Sequence, residues 1–462
     1  MSVKQNNRDL LSGSLVRNMM VFTIPVILSG VLQLVFNAAD LIVVGKFDRV
    51  SGSLAQAAIG STGSMINLIL GIFLGVSVGV NVVIARLIGQ KNHKALSNAV
   101  LTAMLIGMVA GALIAVLGFV FTKPLLNLID TDADVMPFAI DYLRIYFIGA
   151  PFAMVYNFGS AIMRASGDTK KPMIFLAIGG VANVIMNLFT VIVLGMGVRG
   201  VAIATTTSNL IACTLIVISL LRTNEPIKLS LKNFKLEKMW VSQILKLGLP
   251  AGVQGSLFSI SNVVIQGAVN SFGDPHITAG NGNALNVEGF VFLAMNAFYQ
   301  SAITFTGQCC GAKKYELLKK IHYTALALVS AVGLVMGGSF FILREQLMQI
   351  YSSNRADIEA GMARMSIICL TYFTCGLMDI TTGVVRGMGK SFVPMMISLV
   401  GVCGFRVVWI YTVFAAWKTT DCLYISYPIS WVATFVALFI YTVYCRNRII
   451  KGGLKEISEN NA

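Results

Sequence analysis

Charge is what this sequence has little of. Only 12% of its 462 residues are Asp, Glu, Lys or Arg, against about 25% in a usual soluble domain. With 56% of the residues hydrophobic, a water-soluble chain of this length would leave much apolar side chain on its surface. Histidine is scarce too. His93, His276 and His322 each lie in or beside a loop, so no histidine cluster for metal or catalysis is assembled. No HExxH, phosphate-binding glycine loop or Ser-His-Asp ordering occurs. That argues against a zinc hydrolase, a nucleotide-driven pump or any other enzyme, and no cofactor is expected. The eight cysteines are scattered, and the adjacent pair Cys309 and Cys310 does not have the spacing of a zinc site.

What is present is apolar sequence in long runs. Twelve stretches can be marked, at about 14–44, 56–85, 95–121, 137–162, 173–195, 199–221, 240–271, 279–309, 320–343, 359–385, 393–416 and 424–445. In lipid the backbone must pair within its own segment, so runs of about 20 residues read as helices. The first run is too long for the apolar region of a signal peptide. The expected fold is an all-α polytopic membrane protein. The formal net charge of +15 does not indicate nucleic acid, because the Lys and Arg residues lie in short loops and no basic soluble domain carries them.

Those loop cations set the expected orientation. With the N-terminus inside, 25 of them fall in cytoplasmic segments and 8 outside, the latter including Arg49 and Arg364. Arg144 and Arg406 fall within spans. Both termini are therefore expected in the cytoplasm of a plasma membrane protein. The longest connection, with Lys228, Lys232, Lys235 and Lys238, is polar and basic and sits at the midpoint. It divides the chain into an N-lobe (1–222), a linker (223–239), a C-lobe (240–446) and a cytoplasmic tail (447–462).

The halves repeat. Arg164, Gly167, Thr169 and Pro172 recur as Arg386, Gly389, Ser391 and Pro394, 222 positions on, and Gly89 recurs as Gly311. Pro25 and Pro250 begin the halves at an offset of 225. Six spans per half is even, so both halves enter the membrane in one orientation. That predicts two pseudo-symmetric six-helix lobes with a central cavity.

The same residues carry a family resemblance over nearly the whole chain. Pro25 with Asp40 and Gly45 in span 1, Ala85-Arg86 with Gly89 after span 2, and the Arg164 turn form one part of it. Asn183 with Asn187 in span 5, Gly200 with Ala202 and Thr205 in span 6, and Gly311-Ala312 after span 8 complete it. In order and spacing they resemble a bacterial member of the multidrug and toxic compound extrusion (MATE) family. The resemblance implies alternating-access efflux of amphipathic organic cations, coupled to H+ or Na+, by a protein expected to be a monomer. A lipid or lipid-linked oligosaccharide flippase, or a narrow metabolite exporter of the same superfamily, is the competing reading.

Ionisable residues inside the membrane are functional candidates by default. Asp40 lies about four residues, roughly 6 Å, from the outer end of span 1. Asn183 and Asn187 share a face of span 5 as i and i+4, and Thr205 reaches a similar depth in span 6, with Asn209 on its face. One pocket can therefore collect a carboxylate, two amides and a hydroxyl, suited to an alkali cation or to a proton on the carboxylate. The family resemblance places a cation site at these positions, although some relatives carry a second Asp where this chain has Asn187. It also ties a bend of span 1 at Pro25 to gating. The sodium-coupled branch carries a Glu in span 7 where this chain has Phe258, so no sodium site of that kind is expected in the C-lobe.

Glu288 and Asp379 are the acids of C-lobe spans 8 and 10. Phe290, Phe292, Phe298 and Tyr299 follow Glu288, and an acid among aromatics can hold an amphipathic cation. Glu288, Asp379, Phe290 and Tyr299 are thus candidates to line a substrate cavity. An ion pair between Glu288 and Arg406 is the alternative arrangement.

Overall fold

The structure, a computed structural model, describes residues 10–47, 52–128, 131–230 and 237–460. Lys4, Arg8, Arg49, Lys232 and Lys235, among the loop cations counted above, lie outside the described residues. Among the described residues the chain is helical without strands, as lipid demands of single segments. The N-terminal half holds α1 (Leu15–Phe47), α2 (Gly52–Gly89), α3 (His93–Leu128), α4 (Met136–Ile148), α5 (Ala150–Ala165), α6 (Lys170–Asn187) and α7 (Gly197–Arg222). The C-terminal half holds α8 (Lys238–Asn270), α9 (Pro275–Gly311), α10 (Leu317–Ile342), the short α11 (Arg344–Gln349), α12 (Arg355–Gly387), α13 (Phe392–Ser398), α14 (Phe405–Trp409) and α15 (Thr420–Asn460).

Ten of these segments are long and apolar enough to cross a membrane, and α4 with α5 makes an eleventh if the pair is one span. The remaining expected span is α9, which has 37 residues but less apolar sequence. It buries Asn281, Glu288, Ser301, Thr304 and Gln308. Polar groups of that kind face the interior of a helix bundle rather than lipid.

Three expected spans are not plain α-helices. The fourth bends by 48° between α4 and α5, at Gly149. Pro151 offers no N–H to a carbonyl one turn back. At the break the Thr206 hydroxyl of α7 donates to the Ile145 carbonyl at 3.2 Å. The fifth loosens from α6 into a π-helical turn at Leu188–Val193. The eleventh alternates, with π-helical turns at Leu399–Gly404 and Ile410–Phe414 around α14.

The repeat read from the sequence recurs in the backbone. Lys91 and Lys313, 222 residues apart, both have φ of 55°, and Gly167 and Gly389, equally spaced, have φ of 91° and 81°. Each closes a helix with the same bonds. Asn92 N donates to Leu87 O and Lys314 N to Cys309 O, while Asp168 N donates to Met163 O and Lys390 N to Val385 O. This is the six-to-one bond of a Schellman cap, whose left-handed residue is usually glycine. The π-helical turns at Leu188–Val193 and Ile410–Phe414 obey the same offset.

Two compact units emerge, Leu28–Gly252 and Met1–Ile27 with Val253–Ala462. Their limits cut α1 and α8 two residues beyond Pro25 and Pro250, not the polar linker at the midpoint. In the second unit the α1 residue Phe22 meets Phe305 edge to face at 5.9 Å. In the first unit, α8 lies against the glycine stripe of α2. A Cβ on Gly75 would meet Gly252 Cα at 2.1 Å, and one on Gly79 would meet the Ile244 carbonyl at 2.2 Å. Such small-residue faces let helix backbones touch where no hydrophobic effect drives them together.

Replacing Gly252 with Val is expected to lower stability by about 2–4 kcal/mol, because backbone opposes backbone and neither can yield. Gly255→Ala, which meets nothing within 4 Å, is the control. Thermal unfolding of the detergent-solubilised protein compares them, and equal Tm values would show that the contact is not tight.

Candidate ion and substrate sites

Asp40, Asn183, Asn187 and Thr205 do meet. Asp40 is 6% exposed and Asn187 fully buried. The amide of Asn187 donates to Asp40 Oδ1 at 2.5 Å and to Asn183 Oδ1 at 3.2 Å. Thr205 Oγ1 lies 3.2 Å from Asp40 Oδ2 and 3.0 Å from the Val201 carbonyl, so its single proton serves one of them at a time. Asn183 Nδ2 closes the ring to Thr205 Oγ1 at 3.4 Å. Asn209 joins none of these bonds, although it shares the Thr205 face.

Local packing delivers these groups. Phe36, one turn before Asp40, packs against Gly180, where any Cβ would fall 1.7 Å from the ring. The missing side chain lets α1 approach α6 at that level. The π-helical turn begins just after Asn187, and such turns re-aim side chains and recur at functional sites. On α4, the rings of Tyr142 and Tyr146 lie 5.9 Å apart, tilted by 31°, within electrostatic reach of Asp40. The sequence reading passed over these two rings, although their i, i+4 spacing was visible.

Among the described residues all the donors to Asp40 are neutral. Among the described residues no Lys or Arg forms an ion pair with it, and Asn187 Oδ1 is buried without a hydrogen-bond partner. A carboxylate faced by an amide N–H and a hydroxyl can take a proton as it stands, and a small hard cation once the Asn187 amide turns its oxygen inward. Among the described residues it lacks the second carboxylate that a divalent ion would favour.

The second constellation is in the C-terminal unit. A cavity of about 290 Å³ is lined by Glu288 of α9, Arg364 and Asp379 of α12, Arg406 of α14, and aromatic rings. Glu288 is ion-paired, but with Arg364 rather than Arg406. Arg364 Nε and Nη2 reach the two carboxylate oxygens at 2.8 Å each, and Nη1 reaches Asn281 Oδ1 at 2.9 Å. Arg364, counted from the sequence among outer loop cations, is 1% exposed. Its helix begins at Arg355, so the residue lies more than two turns inside.

Two other expectations fail here for a geometric reason. Phe290 does not line the cavity, because residues two apart on a helix point away from each other. Phe292, four residues from Glu288, lines it in place of Phe290, and so does Phe258. Tyr299 is occupied elsewhere, its hydroxyl accepting from Arg386, which also donates to Gln254 Oε1 at 2.8 Å. Arg386 therefore links α12 to α9 and α8. The sequence reading missed Arg364, Tyr427 and Trp431, all contributed by helices distant in sequence from Glu288.

This all-helical bundle, repeated at 222 residues and carrying one acid in a neutral polar ring, is the architecture of a polytopic transporter. Comparison with known proteins names the class. The MatE family model matches residues 25–189 and again 250–412, starting at Pro25 and Pro250. The chain belongs to the MATE family. It is similar to the probable multidrug resistance protein YoeA of Bacillus subtilis, 25% identical over 85% of each chain. It is likewise similar to the probable multidrug resistance protein YpnP of that organism, 25% identical over 96% of this chain and 98% of the relative. Among solved structures, a MOP superfamily transporter from Pyrococcus furiosus superposes with a TM-score of 0.87 at 19% identity, over 97% of this chain and 99% of that one.

Arg364→Met should strand Glu288 as a lone buried charge and cost about 3–5 kcal/mol. Adding Glu288→Leu should recover most of that loss. Thermal unfolding of the single and double variants checks this, and a single variant as stable as the double would refute the pairing.

Proposed function

We propose that this chain is a secondary active multidrug exporter that exchanges H+ or Na+ for amphipathic organic cations by alternating access. The observation that carries this reading is the buried Asp40, bonded among the described residues only to neutral groups of α6 and α7. An ionised Asp40 draws the Asn187 amide and the Thr205 hydroxyl toward it. A proton or cation on the carboxylate removes that draw, and Asn187 then has reason to turn its unpartnered oxygen toward the newcomer. Occupancy of Asp40 thereby changes how firmly α1 is held against α6 and α7.

α1 has a way to answer that change. Pro25 interrupts its hydrogen-bond ladder, and the compact units divide α1 just beyond it. Pro25 is the proposed gate, bending α1 when Asp40 is neutralised. The C-terminal cavity, with Asp379 among aromatic rings, is the proposed place for the organic substrate. The protein acts as a monomer in the plasma membrane with both termini cytoplasmic, as the loop cations indicate.

Ethidium efflux from proteoliposomes, under separately imposed sodium and proton gradients, tests the reading. Wild-type efflux should follow one gradient. Asp40→Asn should reduce it to the rate of protein-free vesicles while the protein remains folded. Pro25→Ala should slow it without altering which gradient drives it. Full coupled efflux in Asp40→Asn would end this assignment.

A further inference from the structure

The charge balance of the C-terminal cavity points to more than a cation. Its walls hold two carboxylates and two guanidinium groups. Glu288 and Arg364 satisfy each other through two parallel N–H···O bonds, so neither is available to a ligand. Asp379 and Arg406 remain. Among the described residues no hydrogen bond or ion pair reaches the Asp379 carboxylate. Arg406 gives its Nε to Ser430 Oγ at 3.0 Å and stacks 4.0 Å from the Tyr427 ring. Its Nη2 is buried with no partner, in a residue only 4% exposed.

A buried guanidinium with an unfilled donor is a costly arrangement, and an anionic oxygen is the group that relieves it most. A purely cationic ligand answers Asp379 but places like charge near Arg406. A purely anionic ligand does the reverse. A molecule with both charges answers both, and the rings of Phe258, Phe292, Tyr372 and Trp431 suit a flat aromatic body between them.

We infer that this cavity selects aromatic zwitterions, with the cationic part facing Asp379 and a carboxylate held by Arg406. Arg406 is then the residue that sets specificity, reading a group that organic cations lack. The inference deepens the exporter reading and rests on it for the identity of the cavity as the substrate site. The position of Arg406 follows from the chain. It sits in a five-residue helix between two π-helical turns, and these fix which way that part of the span faces.

A matched pair of dyes tests it. Rhodamine 110 carries a free carboxylate beside its cationic ring system, and rhodamine 123 is its methyl ester, a plain cation. Binding to the purified full-length protein in detergent is read by fluorescence anisotropy, which needs no gradient. Wild type should bind rhodamine 110 at least about tenfold more tightly, the usual worth of one charge-assisted hydrogen bond. Arg406→Gln should abolish that preference, weakening rhodamine 110 at least about tenfold while rhodamine 123, relieved of a like charge, binds at least as tightly as to wild type. Arg406→Lys, which keeps the charge, should retain a preference of the same sign. Equal affinities in wild type, or a preference undiminished in Arg406→Gln, would overturn the inference. Export from vesicles is a separate readout: binding with this preference but no export of either dye would sink the exporter reading and leave the charge reading intact.

Discussion

A charge placed among helices in a bilayer has no water to solvate it, and this constraint governs where each intramembrane ionisable residue of the protein lies. Three solutions are visible. Glu288 and Arg364 neutralise each other with all the guanidinium arms engaged or nearly so. Arg406 rests on aromatic faces and one hydroxyl. Asp40 is surrounded by neutral amides and a hydroxyl, without a counter-charge among the described residues. Only the first is complete without a ligand. The other two leave something to be supplied, which is why they, rather than the ion pair, carry the proposed transport chemistry.

The two halves share one backbone plan and differ at these positions. The helix caps at Lys91 and Lys313 and at Gly167 and Gly389 are conformational copies, as are the π-helical turns that follow Asn187 and Trp409. The side chains mounted on the shared backbone differ. Asn183 and Asn187 correspond at the 222 offset to Phe405 and Trp409, and Thr205 to Tyr427. The N-terminal half thus presents small oxygen-bearing groups around a single acid, and the C-terminal half presents rings around a cavity. A small ion suits the first and an aromatic molecule the second.

Helix identity and order were legible because lipid leaves the backbone so few options. All twelve expected spans recur as helical segments, and the repeat is visible down to individual cap residues. The N-terminal polar cluster was legible for a related reason. Polar residues are so rare in these spans that Asp40, Asn183, Asn187 and Thr205 stood out, and helix depth alone was enough to align them. The C-terminal site was less legible because its members are neither rare nor near in sequence. Arg364 sat close enough to a helix end to be taken for a loop cation. Phe290 looked equivalent to Phe292 until the turn of α9 separated them.

By itself, then, the sequence determined the class of fold, the twofold repeat and the membrane location of a few polar residues, since each follows from composition and spacing along one segment. The tertiary structure decided which charge pairs with which, because that depends on how separate helices are rotated against each other. It gave Glu288 to Arg364 rather than Arg406, set Tyr299 against Arg386 and left Asp379 facing a cavity. It also divided the chain within α1 and α8 rather than at the polar linker. A linker is marked by its solubility, whereas a packing unit is set by which glycine faces let backbones meet.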